Sequence, residues 1–300
     1  MLADHQEPSS TSVRQDPRPW AGPLIVLIAA TSFASGTALA AVSFQYGATP
    51  LTVLIYRTTL AFLVLALYLS FSRQVEKLPL QFRLVCLGLG FIVATYSFGL
   101  VSAIDRIPLA LAVLIFYLYP LLVGVGAWIT GQEPMSWSRI AQLLVAFAGL
   151  ALALDVGGDL LNFDGLALAG LAALAFALLL LINGRILRGR DSRPVTLHML
   201  GMAAIILWTT AIAIGEFPLP NSEVGLAAFF GSGVFFSFSI ITLFRAVGMI
   251  GSMHVALFMN FEPICSVAFG IFLLGQPMTA LQLTGAVVVI LSIIWAAVLR

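Results

Sequence analysis

Charged residues are scarce in this chain, and their scarcity excludes an ordinary water-soluble fold. Only 9% of the 300 residues are Asp, Glu, Lys or Arg, and 61% are hydrophobic. Soluble domains carry about 25% charged residues. A surface with so few charges cannot be kept in water, so most of it must face lipid.

A basic surface, paired cysteines and the common catalytic motifs are also missing. The net charge of +1 provides no field that would attract nucleic acid. The two cysteines, Cys86 and Cys265, lie in separate apolar runs, which favours small buried hydrophobes over a disulfide or metal pair. The sequence has no phosphate-binding Gly-x-x-x-x-Gly-Lys-Ser/Thr loop and no His-Glu-x-x-His motif. We therefore expect no ATP hydrolysis by this chain, no metal and no cofactor.

Long apolar runs separated by short polar breaks make up the rest of the chain. A helix needs about 20 apolar residues to cross the hydrocarbon core, and continuous runs indicate helices rather than barrel strands. The polar residues 1–19 predict a disordered cytoplasmic tail. A signal-peptidase site after Ala38-Leu39-Ala40 would remove one span without changing the class of protein. We predict transmembrane helices at residues 20–42, 50–71, 82–102, 107–130, 138–154, 164–187, 195–215, 224–246, 252–274 and 280–298.

The basic residues give the orientation of these spans. With the N-terminus in the cytoplasm, twelve of the 14 Lys and Arg residues fall on the inside. Only Arg106 falls in an outside loop, and Arg57 lies within the second span. Such a positive-inside asymmetry requires an even number of spans with both termini cytoplasmic.

The two halves of the chain share a spacing pattern. Tyr119-Pro120 in the first half matches Glu262-Pro263 in the second, and each is followed by a Gly-Gln pair, at 131–132 and 275–276. The matching unit has five spans, and because five is odd its second copy must enter the membrane upside down. We therefore predict an all-α integral membrane protein with ten transmembrane helices, built as two inverted five-helix repeats at residues 20–154 and 164–298.

These features carry a family resemblance. With Tyr119-Pro120, Glu262-Pro263, the turns at Gly131 and Gly275, and Arg57, the sequence resembles the EamA-type ten-helix carriers of the drug/metabolite transporter superfamily. The resemblance covers essentially everything after the tail. In that family the second-half turn typically reads Gly-Glu, whereas Gln276 follows Gly275 here, so we expect no ion pair at that position. The resemblance implies an inner-membrane carrier, often an exporter, for amino acids or related metabolites.

Glu262 is the only acid within a predicted span, about midway through the ninth. A carboxylate in lipid is costly unless it is paired or hydrated, so we expect it on the interior of the bundle. Two interpretations remain open: a proton-coupling or substrate-amine site, or a structural Glu that fixes a kink at Pro263. Pro120 and Pro263 lack a backbone donor, and matched helix interruptions of this kind are typical of a transporter's central site. The alternative is a packing kink without a ligand.

Other candidate residues share the depth of Glu262 in their spans: Ser32, Ser35, Tyr119, Phe235, Phe236 and Ser237. In resembling carriers the third span also faces the central cavity, which adds Tyr96. The alternative for each aromatic is ordinary packing, and for each serine a hydrogen bond to its own helix. Arg57 is expected near the outer face as a gating or structural charge, reaching the headgroups or an acid such as Asp105.

The leading hypothesis is a secondary carrier for a small organic molecule, in which the two halves rock against one another within the lipid. Transport would be coupled to protons through Glu262, or uncoupled and downhill. A multidrug or nucleobase/vitamin carrier of the same fold is the nearest alternative. An intramembrane enzyme would need a reactive pair at one depth, and none is visible. A structural or sensory protein would need a sizeable soluble domain.

Overall fold

The structure, a computed structural model, describes residues 20–71, 78–104, 106–107, 109–132, 136–154, 162–187, 190–215, 217–274 and 279–298. Within those ranges the chain forms α-helices and no strand. The predicted tail at residues 1–19 lies outside them, and its disorder stays a prediction. The helices are α1 (Ala21–Gln45), α2 (Pro50–Phe71), α3 (Leu80–Ile104), α4 (Leu109–Phe116), α5 (Tyr119–Ile129), α6 (Trp137–Leu154), α7 (Phe163–Ile186), α8 (Ser192–Ile214), α9 (Glu223–Ile250), α10 (Ser252–Met259), α11 (Phe261–Leu274) and α12 (Ala280–Val298).

These helices make ten spans. Seven segments are long and apolar enough to cross a membrane: α1, α2, α3, α7, α8, α9 and the joined α4–α5 segment at Ala112–Ile129. Two shorter apolar helices, α6 and α12, and the interrupted pair α10–α11 supply the other three. The ten-helix membrane fold expected from the apolar runs is confirmed.

Two of the spans are interrupted at equivalent places in the two halves. The first break separates α4 from α5, and Pro120 is the second residue of α5. The second separates α10 from α11, and Pro263 is the third residue of α11. Proline has no N–H to donate, so it suits the first turn of a helix, where that group would have no partner. The prolines thus stand at the start of the second helix of each broken span.

Local signals set several helix ends. The side-chain oxygens of Asn162, Asp191 and Ser222 cap α7, α8 and α9 respectively. Each accepts a hydrogen bond from a backbone N–H group in the first turn of its helix. At the end of α5, Gly131 adopts a φ of +66°, and the next N–H bonds back to the carbonyl of Ala127 at 2.8 Å. That left-handed conformation is nearly free of cost only for glycine.

The helix contacts repeat under a twofold relation between the halves. If α1, α2 and α3 correspond to α7, α8 and α9, the α1–α9 packing matches α7–α3, and α2–α9 matches α8–α3. The contact of α1 with α11 matches that of α7 with α5, and equivalent helices meet at α2–α8 and at α6–α12. Because each half has five spans, this relation makes the two repeats inverted, as predicted.

Small residues allow the helices to approach closely. On α1, Ala29, Ala30 and Ala34 are fully buried. A Cβ added at Gly36 would lie 3.1 Å from the carbonyl oxygen of Ser232 on α9. In lipid, helices associate through van der Waals packing rather than through the hydrophobic effect, so such contacts hold the bundle together.

Candidate functional site

Glu262 lies in the first turn of α11, and its partner comes from the other repeat. The hydroxyl of Tyr117 donates to Oε2 of Glu262 at 2.6 Å. Tyr117 belongs to the two-residue break between α4 and α5. The interruptions of the two repeats therefore meet at one hydrogen bond. The first turn of a helix also favours a carboxylate, because the N-terminal N–H groups carry partial positive charge.

A side-chain amide satisfies backbone carbonyl groups at the break in front of Glu262. Asn260 lies between α10 and α11 and is 2% exposed. Its side-chain amide donates to the carbonyl oxygens of Ala256 at 3.3 Å and Leu257 at 2.9 Å. Backbone groups at membrane depth must be satisfied within the protein, so this amide allows the helix to stop there.

An aromatic cluster surrounds the Tyr117–Glu262 pair. The ring of Tyr119 lies 5.5 Å from that of Tyr117 and 4.8 Å from that of Phe176, and Tyr96 is also 4.8 Å from Phe176. Tyr119 is 1% exposed, and its hydroxyl has no hydrogen-bond partner. We call this group the central cluster: Tyr96, Phe116, Tyr117, Tyr119, Phe176 and Glu262.

Arg57 on α2 adds a positive charge to the same region. It is 8% exposed, and its guanidinium carbon lies 5.1 Å from the ring centre of Phe236 on α9. It interacts electrostatically with Tyr96 and Glu262 of the central cluster. The side chain therefore lies within the helix bundle, and its role as a gating or structural charge stays a prediction. Asp105, its proposed partner there, lies outside the described residues.

A second feature is a groove of about 510 Å³ between α1 and α9. Its polar atoms are hydroxyls: Ser32 donates to the carbonyl of Phe235 at 3.0 Å, and Ser35 to that of Thr31 at 2.9 Å. Thr31 also lies 3.7 Å from the sulfur of Cys265, one turn after Glu262 on α11. The α1–α9 groove is lined by Leu27, Ile28, Thr31, Ser32, Ser35, Val234, Phe235 and Phe238.

The residues predicted from the sequence thus fall into separate groups. Glu262, Tyr119 and Tyr96 meet in the central cluster, whereas Ser32, Ser35 and Phe235 line the α1–α9 groove. Phe236 is buried and faces Arg57, while its neighbour Phe235 is 41% exposed. Ser237 is buried and bonds back to the carbonyl of Gly233 at 2.7 Å, the structural alternative considered for it.

Four residues of the site were not predicted: Phe116, Tyr117, Phe176 and Asn260. Asn260 stands three residues before Pro263, and a polar amide so close to a helix-breaking proline is a signal that was available in the sequence. Phe176 carries no such signal, because it is one of many apolar residues on α7 and only the packing of α7 against α4 and α5 brings it to the cluster.

The central cluster offers groups that can bind a ligand reversibly. In the described part of the chain, no three His, Cys, Asp or Glu side chains lie close enough together to hold a metal ion. One carboxylate, one guanidinium and several phenols instead converge among aromatic rings, at the point where two spans are broken. Such a site can hold a small polar organic molecule or a proton.

An inverted repeat whose two interrupted spans meet at a carboxylate is the construction of a secondary transporter of small organic molecules. The chain belongs to the EamA-like transporter family, whose pattern matches residues 20–154 and again residues 164–298.

Individual proteins resemble the chain along most of its length. The threonine/homoserine exporter RhtA of Salmonella typhimurium (strain SL1344) is 29% identical over 277 residues, covering 88% of this chain and 87% of the relative. RhtA of Escherichia coli (strain K12) matches with the same identity and coverage. A solved crystal structure superposes with a TM-score of 0.76 over 93% of this chain and 97% of its own. At 19% identity, that likeness establishes the fold alone.

Proposed function

We propose that this chain exports small amino acids of the threonine and homoserine type from the cytoplasm across the cell inner membrane. The similarity to RhtA supports the substrate class and the direction, since it extends over 88% of this chain. The distribution of basic residues supports an orientation with both termini in the cytoplasm.

The observation that carries the proposal is the position of Glu262. Among the described residues it is the only carboxylate in the interior of a span, and it lies where the breaks of both repeats meet. A carboxylate there can bind the ammonium group of an amino acid or a proton, but not both at once. Competition for this carboxylate couples the transport of the amino acid to that of the proton, because binding of one releases the other.

Alternating access follows from the same geometry. The site lies between α4–α5 of one repeat and α10–α11 of the other, so a relative movement of these broken helices exposes it first to one side and then to the other. The aromatic rings of the central cluster exclude water from the site while it is closed. The substrate is thereby separated from both solutions during the change.

The proposal is tested with purified protein in proteoliposomes loaded with labelled threonine or homoserine. We expect efflux of both amino acids and faster efflux when a pH gradient is imposed. Glu262→Gln removes the charge while keeping the shape, and we expect it to abolish gradient-driven efflux with the fold intact. The matched control is Glu223→Gln, because Glu223 is an exposed acid in the first turn of α9.

Two results would overturn the proposal in different ways. Absence of flux for every amino acid, with flux of an aromatic drug or a nucleobase, would replace the substrate class. A response to the pH gradient in Glu262→Gln equal to that of the unchanged protein would remove the proton from the mechanism.

A further inference from the structure

Arg57 is buried, and three of the five N–H donors of its guanidinium have no hydrogen-bond partner. Its Nε and Nη2 atoms are out of contact with solvent and have no hydrogen-bond partner. A buried guanidinium without partners is costly, and such charges inside a membrane protein face the bundle interior or a cavity and mark the path of a substrate or ion. Stacking on Phe236 offsets only part of that cost.

The identity of the two unpartnered atoms narrows the choice of ligand. Nε and Nη2 lie on the same edge of the planar guanidinium, and their N–H groups point in parallel. That edge matches the two oxygens of a carboxylate, which accept from it as a bidentate pair. A neutral amide or an ester presents only one acceptor oxygen of comparable strength, so it would leave one donor unpaired.

The negative charge near Arg57 is the carboxylate of Glu262. Arg57 interacts electrostatically with Glu262, although no ion pair within 4.0 Å joins these two side chains. A positive and a negative group that influence each other without forming an ion pair can bind the two charged ends of one ligand. An α-amino acid has this form, with its carboxylate and its ammonium on one carbon atom.

We propose that the Nε–Nη2 edge of Arg57 binds the α-carboxylate of the transported molecule while Glu262 faces its ammonium group, so that the carrier selects zwitterionic α-amino acids. This inference rests on the proposed function and adds to it the group that recognises the carboxylate. Arg57 is then a substrate-binding residue rather than a structural or headgroup charge.

The test changes the substrate before it changes the protein. Threonine and threoninamide have nearly the same shape, the same ammonium group and the same hydroxyl, and only threonine carries a carboxylate. With the unchanged full-length protein, we expect threonine to inhibit labelled homoserine efflux at a concentration at least about tenfold lower than threoninamide, because a bidentate charged pair is lost with the amide. Equal inhibition by the two compounds would overturn the proposal without any question of folding.

Substitutions then assign the effect to the guanidinium. Arg57→Gln is expected to bind threonine and threoninamide alike. Arg57→Lys keeps the positive charge but cannot form the bidentate pair. We therefore expect it to prefer threonine still, with an affinity for threonine about tenfold weaker. Arg245→Gln is the matched control, since Arg245 is an exposed arginine on α9. Retention of the full threonine preference in Arg57→Gln would overturn the proposal; if that variant does not fold, the Arg57→Lys result and the substrate pair decide.

A separate measurement distinguishes failure of the carboxylate-binding proposal from failure of the proposed transport function. If no amino acid is transported, ligand-induced thermal stabilisation of the purified protein is measured with butyrate and butyramide, which lack the amino group. Stabilisation by butyrate alone, lost in Arg57→Gln, would uphold carboxylate binding and reject the amino-acid assignment. Stabilisation by neither compound, or by both equally, would overturn carboxylate binding as well.

Discussion

At the scale of single residues, the Tyr117–Glu262 hydrogen bond replaces water that a carboxylate loses on entering the membrane. Its length of 2.6 Å is typical of an O–H group that donates to a charged oxygen. The same hydroxyl can turn away when an ammonium group or a proton arrives. The pair is therefore suited to a group that must change its partner in every transport cycle.

Replacing Tyr117 with Phe tests this role. The ring and its packing against Tyr119 remain, but Glu262 loses its donor. Hydrogen bonds to charged groups contribute about 1.5–3 kcal/mol, so we expect initial efflux rates about 10- to 100-fold lower. Tyr46→Phe, at the end of α1, serves as the control for loss of a phenol and should keep the original rate. A Tyr117→Phe rate equal to that of the unchanged protein would contradict the role.

Glu262 could be predicted from the sequence and Tyr117 could not, for a physical reason. An acid inside an apolar run is conspicuous, because lipid gives it no partner. Tyr117 and Tyr119, by contrast, would point about 160° apart on a continuous helix with 3.6 residues per turn. The break at residues 117–118 changes that relation and brings the two rings within 5.5 Å. Helical periodicity therefore fails at the very residues where the site is built.

At the scale of helices, α6 and α12 illustrate how two short spans are held in place. They pack against each other over much of their length. A Cβ added at Gly285 on α12 would meet the backbone of α6, lying 2.5 Å from the carbonyl oxygen of Gly149 and 2.7 Å from the Cα of Ala153. The two helix backbones are thus in direct contact, and neither can yield by rotating a side chain.

We expect Gly285→Ala to destabilise the protein by separating these two helices. Overpacking costs about 1–3 kcal/mol, and here the atoms that would have to move belong to the backbone. Gly88→Ala is the matched control, because an added Cβ there meets nothing within 4 Å. Thermal unfolding of the purified proteins in detergent measures both. An unchanged midpoint for Gly285→Ala would mean that α6 and α12 are not packed as described.

The element scale also marks the limit of what apolar runs can predict. The runs located all ten spans, and the prolines indicated which two would be broken. They did not locate the last residue before each break: α4 ends at Phe116 inside an apolar run, and α10 ends at Met259, directly before Asn260. The end of α10 depends on Asn260, whose side chain bonds back to α10, and this contact is visible only in three dimensions.

At the scale of the whole molecule, the twofold relation between the repeats is not complete. Helix α10 contacts α5 and α7, and α9 also contacts α7. The equivalent contacts of α4 with α11 and α1, and of α3 with α1, are absent or slight in the described part of the chain. The extra contacts lie toward the end of the molecule that carries Arg185, Arg190 and Arg193. In the proposed orientation that end is cytoplasmic, so the structure is closed toward the cytoplasm.

This asymmetry predicts where a cross-link will stop transport. Gly184 at the end of α7 and Ser252 at the start of α10 face each other, and a Cβ added at Gly184 would lie 3.2 Å from that of Ser252. Cysteines at both positions, with Cys86 and Cys265 replaced by Ala, are close enough to form a disulfide. An exporter must open this end to load its substrate, so we expect oxidation to stop efflux and reduction to restore it.

A second pair at the same end provides the control. Gly22 on α1 and Ile250 on α9 are separated by a similar Cβ distance of 3.4 Å. The α1–α9 contact has its counterpart in α7–α3, so it persists when the two repeats exchange conformations. A cross-link there should leave efflux intact, since it joins helices that move together. If both cross-links stop efflux, or neither does, the closed end is not the gate, and access to the central cluster must change by a movement other than separation of α7 from α10.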